Sequence, residues 1–249
     1  MGDHVTDSVL LLPQPLRTLA KSLMLDLGIE VHRYRSGTLG VDPFRDMRRL
    51  AVAPRPIIFD VGANTGQYTL RFHRCFKDAQ IHAFEPSRAF TELSQKTRRI
   101  KNVHLNHFGL GAHDRRTATF NEHESTEMSS FLTLGRDAWG NTQSVRQVQL
   151  RTLDSYCAEV GVEEIEILKC DTQGYDLEVL KGASEILGAG RVQMIYTEIT
   201  LARLYEGLPS MEEIFQFLAG YNFRLVALYN PAYRNDRLGW MDGLFAKSR

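Results

Sequence analysis

One segment of the chain combines an apolar run, a turn with two glycines and the start of a helical pattern: Ile57-Ile-Phe-Asp-Val-Gly-Ala-Asn-Thr-Gly-Gln-Tyr-Thr69. A short apolar run bounded by glycine is typical of a buried strand in a parallel sheet. Gly62 and Gly66 allow a sharp turn and a close approach of a ligand to the backbone. In doubly wound sheets, nucleotide-like ligands bind at this place, the carboxyl end of the first strand. We therefore expect an α/β fold with a ligand site directly after residue 61.

The turn differs from the dinucleotide fingerprint G-x-G-x-x-G, because Asn64 stands where the middle glycine makes room for a pyrophosphate. Asp60 would repel phosphate and attract an ammonium group, and Glu85 ends the next predicted strand, where an acid can accept both ribose hydroxyls. S-adenosylmethionine carries an amino group, a carboxylate and a sulfonium but no phosphate, so the turn suits it better than NAD. The predicted cofactor-binding residues are Asp60, Gly62, Asn64, Gly66, Tyr68, Thr69, Glu85, Pro86, Gly109, Leu110 and Asp171.

Outward from this turn, short apolar strands alternate with helical patterns, which indicates βαβ units around a mainly parallel sheet. Strands are predicted over residues 57–61, 81–84, 103–106, 165–170, 192–197, 223–228 and 243–246, and helices over 66–75, 88–98, 175–187 and 211–219. No helical pattern separates the last two strands, so they should form an antiparallel hairpin around a turn-rich segment, 229–240. A further hairpin, 115–120 with 145–151, is expected around a long polar loop, 121–144.

The composition limits the function classes. A chain of 249 residues, 43% of them hydrophobic, is long enough to bury the core of one large α/β domain. Its 30 basic residues balance 30 acidic ones, which disfavours nucleic acid as a partner. The three cysteines are far apart and form no C-x-x-C pair, so they favour neither a disulfide framework nor a zinc knuckle, and a cytoplasmic location is expected.

Residues 1–53 are predicted to be an N-terminal helical extension, and residues 54–249 the main domain. Prolines cut the apolar run at residues 9–12, which argues against a signal peptide, and no window approaches the roughly 20 apolar residues of a transmembrane helix. Apolar residues at helical spacing predict a helix over 15–27 that ends at Gly28. This helix is expected to pack on the core, and it also suits a contact in a homo-oligomer.

Several motifs recur in an order and spacing that resemble a known family. They are Asp60-Val-Gly-Ala-Asn-Thr-Gly66, Phe84-Glu-Pro86, Gly109-Leu-Gly111, Thr152-Leu-Asp154, and Leu168-Lys-Cys-Asp-Thr-Gln-Gly174 followed by Glu178-Val-Leu-Lys-Gly-Ala183. Over about residues 55–247 the chain resembles the FkbM family of S-adenosylmethionine-dependent methyltransferases, which has the class I methyltransferase (Rossmann-like) fold.

The resemblance implies a seven-stranded, mainly parallel sheet, S-adenosylmethionine as cofactor, and usually methylation of a hydroxyl on a sugar or secondary metabolite. A role in glycan or natural-product biosynthesis is therefore expected. The chain departs from the family at Gln173, where a glutamate is common. A hydrogen-bonding or cofactor-positioning role is compatible with glutamine, whereas a role that needs a negative charge is not.

Methyl transfer to oxygen is an in-line displacement, so the enzyme must align donor and acceptor and remove the hydroxyl proton. Asp171 and Glu198 directly follow the fourth and fifth main strands, which end beside the expected methyl position. We predict Asp171 as the base and Glu198 as the group that orients the acceptor, with His123 as the alternative base on a loop that closes over the site. A helix-capping role for Asp171 and a surface ion pair for Glu198 stay open, as does a divalent ion such as Mg²⁺ held by the two carboxylates.

The acceptor is expected to be a glycosyl group or another small molecule. Ser129 and Ser130 in the long polar loop are candidates for hydrogen bonds to the acceptor or to the cofactor carboxylate, and Trp139 and Tyr233 are candidates for stacking on a sugar face. Two alternatives remain at this stage: a methyltransferase that acts on the ribose or base of RNA, and a cofactor-binding module without catalysis.

Overall fold

The structure, a computed structural model, describes residues 13–26 and 38–248. The chain divides into two compact units between Thr38 and Leu39. Helix α1, Gln14–Asp26, belongs to the first unit and confirms the helix predicted over 15–27, whereas Gly28 lies outside the described residues. No helix in the described ranges has the length and apolar character that crossing a membrane requires. The predicted domain boundary after residue 53 stays a prediction.

The second unit contains two sheets and seven helices within the described residues. Its strands are β1 Ile57–Val61, β2 Gln80–Phe84, β3 Val103–Asn106, β4 Gly109–Leu110, β5 Arg115–His123, β6 Thr142–Arg151, β7 Ile165–Cys170, β8 Val192–Thr200, β9 Phe223–Arg234 and β10 Arg237–Lys247. Its helices are α2 Pro43–Leu50, α3 Gln67–Cys75, α4 Phe90–Thr97, α5 Leu153–Val160, α6 Asp176–Lys181, α7 Ser184–Gly188 and α8 Met211–Gly220.

The main sheet has seven strands in the order β3-β2-β1-β7-β8-β10-β9. β10 runs antiparallel to both of its neighbours, and the pairs from β3 to β8 are parallel. This confirms the predicted α/β class I methyltransferase sheet with its C-terminal hairpin. Because β7 lies beside β1, the strand order reverses between them, and the crevice at their carboxyl ends is the place where such sheets bind ligands.

Both faces of the sheet are buried, as a parallel sheet requires. Ile58 of β1 packs in one core cluster with Phe44 of α2 and Phe72 of α3. Phe59 and Val61 point to the opposite face and pack in a second cluster with side chains of α5, α6, α7 and α8. The alternation of side chains along β1 therefore fixes its register between two helical layers.

The C-terminal hairpin is longer than predicted. Residues 229–240, expected as a turn-rich segment, are mostly strand, and the turn is confined to Asn235 and Asp236. Both residues have positive φ, 49° and 60°, as a tight two-residue hairpin turn requires. Pro231 is tolerated because β9 is an edge strand of the sheet. Tyr233 consequently lies in a strand and not in a loop.

Two further expectations are corrected. The inserted hairpin, β5 with β6, reaches further than predicted and joins β4 in a three-stranded sheet, so the long loop shortens to residues 124–141. The helix predicted over 175–187 is two helices, α6 and α7. Between them, Gly182 approaches the backbone so closely that a Cβ there would lie 2.0 Å from the carbonyl oxygen of Gly111.

Candidate functional site

A cavity of about 360 Å³ opens at the carboxyl ends of the central strands. Its size is within the range of small-molecule and cofactor sites. Its wall is formed by the turn after β1, the end of β2, the segment after β3, the loop between β5 and β6, and the ends of β7 and β8. The lining residues are Val61, Gly62, Ala63, Asn64, Gln67, Tyr68, Phe84, Glu85, Pro86, Phe108, Gly109, Leu110, Phe120, Thr126, Glu127, Met128, Ser129, Phe131, Trp139, Lys169, Asp171, Thr172, Gln173, Glu198, Leu204 and Trp240.

Gly62 allows the first turn to meet the end of β7. Its φ is 75°, and a Cβ there would lie 1.9 Å from the carbonyl oxygen of Asp171. The Asp171 amide donates to the oxygen of Val61 (3.1 Å), and the Gly62 amide donates to the oxygen of Phe84 (3.0 Å). A side chain at residue 62 would therefore separate the turn from both neighbouring strands.

Glu85 is buried on the cavity wall and is held by the backbone of two segments. Oε2 accepts a hydrogen bond from the Asn64 amide (2.7 Å), and Oε1 accepts one from the Ser87 amide (2.8 Å). Burial raises the pKa of the Glu85 carboxyl, and these hydrogen bonds oppose the rise. The first turn and the acid at the end of β2 thus form one rigid unit.

Asp60 does not reach the cavity wall, in contrast to the predicted direct contact with the cofactor. Its carboxylate is fully buried and accepts a hydrogen bond from the Thr69 hydroxyl (2.6 Å). The ammonium group that it attracts belongs to Lys169, whose Nζ lies 3.0 Å from Oδ1. Lys169 Nζ also donates to the carbonyl oxygen of Gly62 (2.8 Å), so this ion pair fixes the base of the turn.

Burial alone would lower the pKa of the Lys169 ammonium, but the nearby carboxylates of Asp60 and Asp171 outweigh burial and raise it. Lys169 therefore stays charged, and its charge is matched by Asp60 on the neighbouring strand. Removing either partner of a buried ion pair leaves an uncompensated buried charge, so Asp60 and Lys169 depend on each other.

The ends of β7 and β8 form an acidic part of the wall. Asp171 lies 3.7 Å from the Lys169 ammonium through Oδ2, and Glu198 accepts a hydrogen bond from the Thr200 hydroxyl (3.0 Å). Burial raises the pKa of the Glu198 carboxyl well above its usual range, with contributions from Asp171 and Asp176. Burial, followed by the charge of Asp171, also raises the pKa of Asp176 to about 7. Burial and the neighbouring carboxylates therefore favour the protonated forms of Glu198 and Asp176.

An aromatic pair adds an apolar surface to the wall. Trp139 and Trp240 stack with ring centroids 5.7 Å apart, and both line the cavity. The Arg234 guanidinium lies 4.8 Å from the Trp139 ring and donates from Nε to the oxygen of Asp137 (3.1 Å). The loop that carries Trp139 is thus tied to the C-terminal hairpin.

Most of the predicted site residues come together at this cavity. Those on the wall are Gly62, Asn64, Tyr68, Glu85, Pro86, Gly109, Leu110, Ser129, Trp139, Asp171 and Glu198. Those that do not line it are Asp60, Gly66, Thr69, His123, Ser130 and Tyr233. Their roles in binding and catalysis stay predictions.

Three placements differ from the sequence expectations. His123 is the last residue of β5, is buried, and does not line the cavity; burial lowers the pKa of its imidazole. Ser130 is fully buried and donates to the backbone oxygen of Gln173 (2.8 Å). Tyr233 is 71% exposed on β9. Local polarity suggested loops for His123 and Tyr233, which lie in strands, whereas Ser130 is in the loop as predicted but is paired with Asn121 and buried.

Sequence reasoning missed Lys169, Gln67 and Thr126 on the wall. The sequence does contain a pattern that indicates Lys169. Like Asp60, it is a charged residue inside an apolar strand, and such residues are rarely buried without a partner of opposite charge. In the structure the two are register partners on neighbouring strands. Thr126 had no signal, because its hydrogen bond to the Asn64 side chain (3.0 Å) joins distant segments.

The described residues contain no group of three or more His, Cys, Asp and Glu side chains that could hold a metal ion. The divalent ion left open by the sequence is thus not supported. Asp171 and Glu198 remain as two carboxylates, one beside an ammonium group and the other with a raised pKa.

A doubly wound sheet with acidic residues directly after β2 and β7 and near the end of β8 defines a class I methyltransferase architecture. Residues 60–225 match the methyltransferase FkbM domain, and the chain belongs to this family. It is an S-adenosylmethionine-dependent methyltransferase.

The chain is 28% identical over 240 residues to the 2-O-methyltransferase NoeI of Sinorhizobium fredii (strain NBRC 101917 / NGR234), across 89% of this chain and 96% of that protein. It is 27% identical over 154 residues to methyltransferase 1 of Beauveria bassiana (strain ARSEF 2860), across 54% and 62% of the two chains. The crystal structure of methyltransferase FkbM from Methylobacillus flagellatus KT shares the fold, with a TM-score of 0.51, 10% identity, and coverage of 94% and 71%.

Proposed function

We propose that this enzyme transfers the methyl group of S-adenosylmethionine to a hydroxyl of a glycosyl or secondary-metabolite acceptor, with Asp171 taking the proton. The observation that carries the proposal is the distribution of acids along one cavity: Glu85 follows β2, whereas Asp171 follows β7 and Glu198 lies near the end of β8. β1 and β7 lie between β2 and β8, so three strand spacings, roughly 14 Å, separate β2 from β8. The side of the cavity at Glu85 suits a nucleoside, and the side at Asp171 and Glu198 suits the reaction centre.

The wall fits the cofactor in chemical terms. Glu85 would accept hydrogen bonds from the ribose hydroxyls. The turn at Gly62 and Asn64 would hold the amino-acid part of the cofactor, and the rings of Phe84 and Phe108 would contact the adenine. The bound cofactor supplies an electrophilic methyl group and a neutral thioether leaving group.

Asp171 is favoured over Glu198 as the base because the two carboxyl groups have different surroundings. Burial raises the pKa of Glu198, which favours its protonated form, so it suits hydrogen bonding to the acceptor better than proton abstraction. Asp171 lines the cavity, and its Oδ2 lies 3.7 Å from the Lys169 ammonium. The acceptor O–H proton would pass to Asp171 as the acceptor oxygen attacks the methyl carbon.

The acceptor side of the wall favours an uncharged, partly apolar ligand. Trp139 and Trp240 offer a surface on which a sugar ring can pack. The acidic residues on the wall are Glu85, Glu127, Asp171 and Glu198, against the single wall lysine among the described residues, which is already paired with Asp60. This distribution disfavours phosphate-rich acceptors such as RNA, and the similarity to a 2-O-methyltransferase supports a hydroxyl acceptor.

The test combines an acceptor panel with Asp171→Asn. We expect methyl transfer to neutral hydroxyl compounds, and a fall in turnover of about 10²- to 10⁴-fold in Asp171→Asn. Affinity for S-adenosylhomocysteine, measured by calorimetry, should stay within about twofold because the amide keeps the shape of the side chain. Asp78→Asn, on an exposed turn, is the matched control.

Two outcomes would contradict the proposal. Tight cofactor binding without transfer to any hydroxyl acceptor would support the non-catalytic module. Unchanged turnover of Asp171→Asn would remove the proton-abstracting role from this residue.

A further inference from the structure

Gln173 joins three segments of the chain at the end of β7. Its Nε2 donates to Oδ1 of Asp171 (2.9 Å), and its Oε1 accepts from the Tyr205 hydroxyl (2.9 Å) in the loop after β8. Its backbone oxygen accepts from the Ser130 hydroxyl (2.8 Å) in the loop after β5. Both ends of the side-chain amide are therefore occupied within the described part of the chain.

The backbone around Gln173 is held in an uncommon conformation. Gln173 has a φ of 55°, in the left-handed region that few non-glycine residues adopt, and Gly174 follows with a φ of 85°. A Cβ on Gly174 would lie 2.4 Å from Leu208 Cδ2, so the loop after β8 packs directly against this turn. Residues that keep such a conformation cluster at functional sites.

The orientation of the amide is determined by Asp171. If the amide were reversed, its oxygen would face the Asp171 carboxylate, and two oxygen acceptors with no proton between them repel each other. The Tyr205 hydroxyl does not decide the orientation, because a hydroxyl can donate or accept and this one also lies 3.0 Å from the Met128 carbonyl oxygen. The amide therefore donates to Oδ1 of the Asp171 carboxylate.

The two oxygens of Asp171 have different surroundings. Oδ1 is occupied by the Gln173 amide, whereas Oδ2 accepts no hydrogen bond from the described residues and has the Lys169 ammonium at 3.7 Å. Asp171 lines the cavity and is not fully buried. The titratable groups that interact with it are Tyr68 on α3, Lys169 and Cys170 on β7, Asp176 on α6, Glu198 on β8, Tyr205 after β8, and Asp242 on β10, and Asp60 on β1 shares the Lys169 ammonium with it.

We propose that Gln173 is a positioning residue that binds Oδ1 of Asp171, so that Oδ2 is the oxygen that takes the proton of the acceptor hydroxyl. The inference rests on the proposed function, in which Asp171 is the base. An amide suits this role because it donates a hydrogen bond and cannot accept the proton itself. A carboxylate in the same place would face Asp171 at hydrogen-bond distance, and the two acids would share a proton.

Gln173→Glu is the direct test. In this variant the acid limb of the pH profile of kcat/KM should move upward by about one pH unit or more, because the introduced carboxyl group and Asp171 share a proton. Above that limb the activity should recover to within about threefold of the wild-type value. Gln147→Glu adds the same charge on the exposed face of β6 and should leave the limb in place.

Gln173→Met tests the hydrogen bond without adding charge. We expect kcat to fall ~10-fold or more, while the KM for S-adenosylmethionine and the affinity for S-adenosylhomocysteine change less than about twofold. A merely structural role would instead lower cofactor affinity and kcat together. This variant decides the question if Gln173→Glu does not fold.

The outcomes separate this inference from the proposed function. If Asp171→Asn is inactive but Gln173→Glu keeps the wild-type acid limb, or Gln173→Met keeps full kcat, Gln173 does not position the base and the proposed function stands. If Asp171→Asn is fully active, Asp171 is not the base, and that part of the proposed function and this inference are both wrong.

Discussion

Glu85 combines a structural and a binding task in one side chain. Two backbone amides, of Asn64 and Ser87, donate to its oxygens, and the carboxylate still lines the cavity. A carboxylate has about four acceptor positions, so it can bind two amides and still accept hydrogen bonds from a ligand. Its buried position gives such ligand hydrogen bonds their strength, because water competes little for them.

Replacing Glu85 by Ala should weaken the binding of S-adenosylhomocysteine by about 1–3 kcal/mol, the scale of hydrogen bonds to a charged group. Isothermal titration calorimetry measures this loss directly. Glu92→Ala removes an exposed acid that pairs only with Lys96 through its side chain in the described structure, and it should leave the affinity unchanged. An unaltered affinity in Glu85→Ala would remove the ribose-binding role.

Sequence alone predicts the acids of the site better than their partners. Glu85, Asp171 and Glu198 were found because each follows an apolar strand, and the carboxyl ends of parallel strands meet at one edge of the sheet. The partner of Asp60 was not found, because Lys169 becomes its neighbour only when β1 pairs with β7. Pairing between distant strands leaves no local trace in the sequence.

At the scale of the elements, the strands were predictable and some of their ends were not. Apolar runs specify all seven strands of the main sheet, because burial on both faces demands them. The break between α6 and α7 was not predictable, since its cause is the carbonyl of Gly111 against Gly182. The predicted turn of the C-terminal hairpin, residues 229–240, was too long, because Asn230 and Pro231 are typical turn residues although they lie in an edge strand.

The junction of β1 and β7 depends on Gly62, and a pair of glycines can test this. Gly62 and Gly161 have similar φ values, 75° and 70°, but a Cβ would meet the Asp171 oxygen at 1.9 Å in the first case and nothing within 4 Å in the second. Gly161→Ala should cost about 1–2 kcal/mol in the free energy of unfolding, the penalty of the left-handed conformation. Gly62→Ala should cost several kcal/mol, about 3 or more, and abolish cofactor binding.

Urea unfolding measures both variants, and S-adenosylhomocysteine titration reports on the turn. The difference between the two glycines isolates the close approach, since the backbone penalty is common to both. Equal losses in the two variants would show that the contact with the Asp171 carbonyl is not what requires glycine at residue 62.

At the scale of the whole molecule, a neutral chain concentrates opposite charges in different places. The 30 basic and 30 acidic residues cancel, yet the cavity wall carries several carboxylates and one lysine that is already paired. Such a local field favours a cationic sulfonium over a phosphate ligand. Net charge therefore predicts against phosphate-rich partners, whereas the arrangement of the strands determines where the acidic residues collect.

The pH dependence of stability should follow a histidine outside the cavity. His82 on β2 is buried, contacts the Tyr156 hydroxyl through Nδ1 (2.7 Å), and stacks on His104 with ring centroids 4.6 Å apart. Burial, with a smaller contribution from the charge of His104, lowers its pKa to about 4. In the unfolded chain a histidine titrates near 6.5, so between these values the unfolded state binds more protons than the folded state.

The stability contributed by neutral His82 is thus complete above about pH 6.5 and is lost as the pH falls towards 4. Between pH 7.5 and 4.5 the wild-type protein should lose about 2–3 kcal/mol more unfolding free energy than His82→Gln, which cannot bind the proton. Urea unfolding at both pH values gives the difference, and the carboxyl groups common to both proteins cancel. His113→Gln removes an exposed histidine and should behave like the wild type; if His82→Gln loses as much stability as the wild type, His82 is not the group that titrates.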